Sequence, residues 1–77
     1  MTAKEFLEGK TLTAVETVNS LIINLVIDEA VYGMDVDTSN LVADTPLIRT
    51  ENFLIEGDIL TVGELSLDLV DTKMLGS

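Results

Sequence analysis

The chain has no cysteine, no histidine and no tryptophan, and among its 77 residues there are one proline, one tyrosine and two phenylalanines. Without cysteine there is no disulfide framework, no thiolate nucleophile and no zinc site of the usual kinds. Without histidine there is no imidazole base and no side chain whose ordinary pKa lies near neutrality. Three aromatic rings leave little wall for a sugar-sized cleft in which paired carboxylates could do acid–base work. What remains for chemistry is carboxylates, Lys4, Lys10, Lys73, Arg49, Tyr32 and a few hydroxyls, so neither an enzyme nor a cofactor is expected. Positive charge is equally scarce. Four cations against fourteen acids give a formal net charge of −10, which excludes neutralisation of a run of nucleic-acid phosphates and offers no polybasic hold on an anionic membrane. Long apolar runs are missing too: the densest, Leu21 to Ile27, is broken by Asn24, far short of the roughly 18 residues that suggest a membrane span. The opening residues carry charges where a secretory signal would be apolar. These absences lead us to expect a soluble, cytoplasmic protein, with a place in an assembled virion also open.

What is present is a high apolar content, 47% of residues, with a mean hydropathy of +0.40. A disordered chain would show the opposite, and the length bounds the chain to a single small domain over 1–77. Its character changes along its length: a helical part over 1–33, a polar connection over 34–46 that holds the only proline, and a β part over 47–71.

Thr2-Ala-Lys-Glu5 is a capping-box pattern, and it predicts a short helix over about 3 to 8, ended by Gly9. A second such pattern, Thr13-Ala-Val-Glu16, precedes polar residues at 13, 16, 17, 20, 24 and 28. Ala14, Val15, Val18, Leu21, Ile22, Leu25 and Val26 lie opposite them. That spacing predicts a long amphipathic helix over about 14 to 32, stopped by Gly33. The same run is rich in valine and isoleucine, so Leu21 to Ile27 also reads as a buried strand. Further on, Gly57-Asp58 suits a two-residue hairpin loop. Pairing across it places Phe53, Ile55, Leu60 and Val62 on one face, and a bulge at Gly63 would bring Leu65, Leu67 and Leu69 to the same side. The fold class expected is therefore α+β, with the long helix laid across a C-terminal hairpin or meander. An all-α small bundle is the alternative, with Thr45-Pro46 and Thr61-Val-Gly-Glu64 opening further helices.

Asp35-x-Asp37-x-Ser39 matches the first three ligand positions of a calcium loop. Asn40 and Pro46 stand where the glycine and the bidentate glutamate are needed, so no metal site is expected. Ile59-Leu-Thr-Val-Gly-Glu-Leu65 is similar to the start of the last helix of acyl carrier proteins, which are of like size and acidity. That resemblance would imply a phosphopantetheine arm on the serine of an Asp-Ser-Leu. Here Asp37-Thr-Ser39-Asn-Leu41 spreads those residues apart, and the family is not assigned.

A domain this small needs a staple, and with disulfides and metal excluded the staple left is oligomerisation. The function expected is thus a non-catalytic structural or assembly subunit that self-associates as a homo-oligomer or packs in a larger protein complex, with virus and phage particles among its plausible homes. On the expected helix, Ile23, Ile27 and Val31 widen the apolar face, and Asn19 stands where a polar residue can set register. These four are the candidate self-association residues. The alternative is a small acidic, DNA-mimic-like regulator or inhibitor that offers Asp28, Glu29, Asp35 and Asp37 to the basic site of a protein partner.

Overall fold

Residues 1–76 are described by a computed structural model. The chain begins as its capping box dictates. The Thr2 hydroxyl accepts the Glu5 N–H at 3.2 Å and the Glu5 carboxylate accepts the Thr2 N–H at 3.0 Å, which opens the helix α1 (Ala3–Leu7).

The segment 14–32 corrects the expectation of a long amphipathic helix. It forms β1 (Ala14–Val18), β2 (Leu21–Ile27) and the start of β3 (Ala30–Asp35), joined by the two-residue turns Asn19-Ser20 and Asp28-Glu29. Two physical causes decide it. Val15, Val18, Ile22, Ile23, Val26 and Ile27 are β-branched and lose side-chain freedom in a helix. The polar pairs fall where the chain reverses: Asn19 has φ 57°, and Asp28 and Glu29 have φ 49° and 71°, the left-handed values a hairpin turn requires. Opposite β1 the register slips between Glu16/Thr17, pairing them with Asn24 and Ile22 and leaving Ile23 as the extra residue of a bulge. The bulge breaks the period of two, so that Ile22 and Leu25 both reach the core. An all-α bundle is overturned along with the α+β class, since the described residues form eight strands and one five-residue helix.

After Asp35 the chain crosses to the far side of the sheet. β4 (Ile48–Thr50) pairs with β1, and β8 (Lys73–Met74) pairs with the end of β3. The result is a five-stranded antiparallel sheet in the order β4-β1-β2-β3-β8. β5 (Leu54–Glu56), β6 (Ile59–Val62) and β7 (Leu65–Asp68) form a second, three-stranded meander. Its first turn is Gly57-Asp58. Gly63 is the second turn rather than a bulge, since Val62 pairs directly with Leu65 across Gly63-Glu64. Both glycines have φ near +60°, where a Cβ is disfavoured and glycine is the usual first turn residue. The switch in apolar parity is simply the reversal of the chain.

The two sheets enclose one core. Val15, Ile22, Leu25 and Met34 come from the larger sheet and Leu60 from the meander, joined by Ala3, Leu69 and Met74, with Phe53, Val62, Leu65 and Leu67 packed at the rim. Most side chains expected to pack together do meet, but sheet to sheet instead of helix to sheet. Residues 1–3 and 72–74 close the structure: the Ala3 N–H donates to the Thr72 carbonyl at 2.7 Å and the Met74 N–H to the Met1 carbonyl at 2.9 Å.

Candidate interaction surface

An open groove of ≈ 540 Å³ runs along the outer edge of β3, between that strand and α1, lined among others by Phe6, Lys10, Val31, Tyr32, Gly33 and Leu75. Each wall follows from the local fold. α1 presents Phe6, whose ring lies 4.8 Å from that of Tyr32. Lys10 folds back so that its Nζ donates to the Phe6 carbonyl at 2.8 Å and sits 4.6 Å from the ring centroid, a cation–π arrangement. Leu75 closes one end by donating its N–H to the Gly33 carbonyl at 3.0 Å, with its Cδ1 2.9 Å from where a Cβ on residue 33 would stand.

The edge of β3 is itself unfinished. Because Gly33 accepts from Leu75, its backbone polar groups face away from β2; two residues back, Val31 faces the same way. A second bond agrees. Val26, which stands opposite Val31, gives its carbonyl to the Thr13 N–H at 2.9 Å and so turns away from β3. β8 pairs only with Met34 and Asp35. Among the described residues, no strand lies against the outer edge of Ala30–Tyr32.

On the other face of the large sheet three strands are tied by a polar cluster. The Glu16 carboxylate accepts from Arg49 Nε and Nη2 at 3.0 and 2.8 Å and from Asn24 Nδ2 at 2.6 Å. Glu16 is 5% exposed, and the Arg49 guanidinium, then the Asn24 amide, hold its carboxyl below the usual range. Both oxygens of the carboxylate are used internally, so this cluster joins β4, β1 and β2. Elsewhere the bond that Lys4 Nζ donates to the Asp58 carboxylate, a 2.7 Å pair, raises the Lys4 pKa, and the capping bonds from Thr2 lower that of Glu5. Among the described residues no group of three acidic side chains stands close enough to hold a metal ion, and no helix is long and apolar enough to cross a membrane.

The candidate self-association residues are dispersed by the sheet. Asn19 occupies the β1–β2 turn, Ile23 is the bulge, and Ile27 is buried at 7% exposure. Val31, at 45%, lines the groove. Ile27 is paired with Ala30 and Val31 with Val26, so the two point to opposite faces. The candidate acids divide between the two ends of β3. Asp28 and Glu29 make the turn before it; Asp35 ends it. Asp37 lies beyond, where bonds from Ser39, including its N–H at 2.9 Å, lower its pKa. Sequence reasoning named Lys10 and Tyr32 only among the groups left for chemistry and did not join them to Phe6 and Leu75, which they meet only through the tertiary fold. The one available signal was Lys10, a rare cation in an acidic chain. A scan against family models, a search of curated proteins and a search of solved structures each find no match, so the chain's own geometry carries the functional argument.

Proposed function

We propose that the chain is a non-catalytic structural subunit that self-associates, in the cytoplasm or as part of an assembled particle. One observation carries this. Among the described residues eleven large apolar side chains are exposed, as many as the hydrophobic residues that are buried. They include Leu47 and Ile48 at β4, Leu54 and Ile55 at β5, and Val31 and Tyr32 at β3, all at open sheet edges. Apolar side chains gathered at unpaired edges are the usual seat of strand-to-strand association. A second reading, an acidic regulator of a basic protein, is favoured by the internal use of Lys4 and Arg49, which pair with Asp58 and Glu16 and leave the surrounding field strongly negative. Light scattering at low salt and at about 1 M, where charge is screened within a few ångströms, separates the two. A multiple of 8.3 kDa at high salt supports the subunit. A monomer at both salts overturns it and turns the search to a basic partner whose binding weakens with salt.

A further inference from the structure

Residues 37–52 pass from β3 to β5 without placing a side chain in the interior. None of them is buried, and Val42, Leu47 and Ile48 are more than half exposed. The core cluster draws nothing from this stretch, neither its buried members nor the half-buried residues packed against it. The residues on either side of it, Val36 and Phe53, do belong to that packing. Its hydrogen bonds are equally local. Ser39 donates its N–H to the Asp37 carboxylate, Leu41 to the Thr38 carbonyl, Thr45 to the Val42 carbonyl and Asn52 to the Thr50 hydroxyl. Among the described residues, β4 alone ties the stretch to the body of the protein.

The ties at β4 are three: a short ladder to Val15–Thr17, a 3.4 Å bond from the Thr17 hydroxyl to the Ile48 carbonyl, and the two bonds from Arg49 to Glu16. They are unequal. Ladder bonds at an exposed edge trade readily for bonds to water, and 3.4 Å is long for a hydroxyl donor. The Arg49 bonds are charge-assisted and end on a carboxylate that is almost wholly enclosed, which makes them the strongest of the three.

We infer that residues 37–52 are a strap that lifts from the edge of β1 while the rest of the molecule stays folded, with Arg49 on Glu16 as its latch. Val36 and Phe53 are the fixed points between which it moves. What remains when it lifts is β1, β2, β3 and β8 against the meander, with every member of the core cluster in place. Lifting gives up no core packing, and few buried apolar contacts are what a low-lying partial opening requires. It bares the outer edge of β1 and admits water to Glu16, which keeps its bond from Asn24 on β2. The motion belongs to one copy and does not depend on self-association.

Hydrogen exchange of the full chain tests this, followed amide by amide by nuclear magnetic resonance at low salt, where repulsion keeps copies apart, and in urea below the unfolding transition. The β4 amides bonded to β1 are expected to be protected at least tenfold less than those of Leu25 and Leu60 on the central strands. Urea should hardly change their rates, because lifting exposes little surface. Glu16→Gln, which weakens the latch, should speed exchange at β4 roughly tenfold. Leu60→Val loosens the core and not the strap, so it should speed exchange at Leu25 and leave β4 as it was. Rates at β4 that climb with urea as steeply as at Leu25, or that answer Leu60→Val to the same degree, overturn the strap, since β4 then opens only with the whole fold. Amides at β4 without protection overturn it as well, because nothing would then be closed. Rates at β4 unmoved by Glu16→Gln overturn the latch. If that variant does not fold, the urea series and Leu60→Val decide.

Discussion

At the scale of single residues, the carboxylate of Glu16 and the turn residue Glu29 make opposite predictions. Glu16 is buried, and its ionised form is held by Arg49 and Asn24. A carboxyl whose folded pKa lies below its unfolded value stabilises the fold above the unfolded pKa, and that contribution is lost as pH falls through the folded one. The stability difference between wild type and Glu16→Gln should therefore be constant above about pH 5 and shrink as pH drops below about 4. Urea titrations across that range measure it. Arg49→Ala removes the charged partner and leaves Glu16 enclosed, which should cost about 1–3 kcal/mol. At Glu29 the gain runs the other way. Its φ of 71° is strained for a side chain, and Asp-Gly is the preferred pair for a turn with both residues left-handed. Glu29→Gly should stabilise the fold by about 0.5–1 kcal/mol, read as a higher urea midpoint with an unchanged slope.

At the scale of elements, the meander depends on its two glycine turns. A Cβ at Gly57 or Gly63 would meet no atom within 4 Å, so any cost of alanine there comes from the backbone alone. Each substitution should lose about 1 kcal/mol, and thermal melts of the two variants should agree. Leu60→Ala, at a fully enclosed site joining the sheets, should lose about 2–5 kcal/mol, enough to unfold a domain this small. These elements also show what the sequence carried plainly and what it concealed. The capping box at Thr2 and Glu5 and the turn at Gly57-Asp58 were legible because each is a local pattern with a fixed geometry. The β1–β3 hairpins were concealed. Their turns are Asn19-Ser20 and Asp28-Glu29, without the glycine that marks a hairpin, and the bulge at Ile23 dislocates the alternation of β2. Polar turns about nine residues apart, with a slipped strand between them, mimic the stripe of a helix. The groove was concealed for another reason: Phe6, Tyr32 and Leu75 are distant in the chain, and only the closing of residues 72–75 onto β3 brings them together.

At the scale of the whole molecule, the charge sets the conditions under which it is stable. A net charge of −10 is carried within a radius of gyration of 11.6 Å, close to the screening length of roughly 10 Å at 0.1 M salt. At low ionic strength, repulsion therefore acts across the entire body, both within one copy and between copies. Raising sodium chloride from about 0.01 to 0.5 M should raise the melting temperature by a few degrees, and the mass by light scattering should rise over the same range. Melts in which low salt is the more stabilising condition would show that pairs such as Lys4–Asp58 outweigh the general repulsion.

The bonds that tie residues 1–3 to residues 72–74 have a topological consequence. The polypeptide enters and leaves the domain at one point, beside β8. Residues 1–3 and 72–74 lie side by side, so the two ends of the described chain are neighbours. A body with that geometry can be spliced into a surface loop of another protein without prising the host's strands apart, and its two ends can be joined by a short linker into a circle.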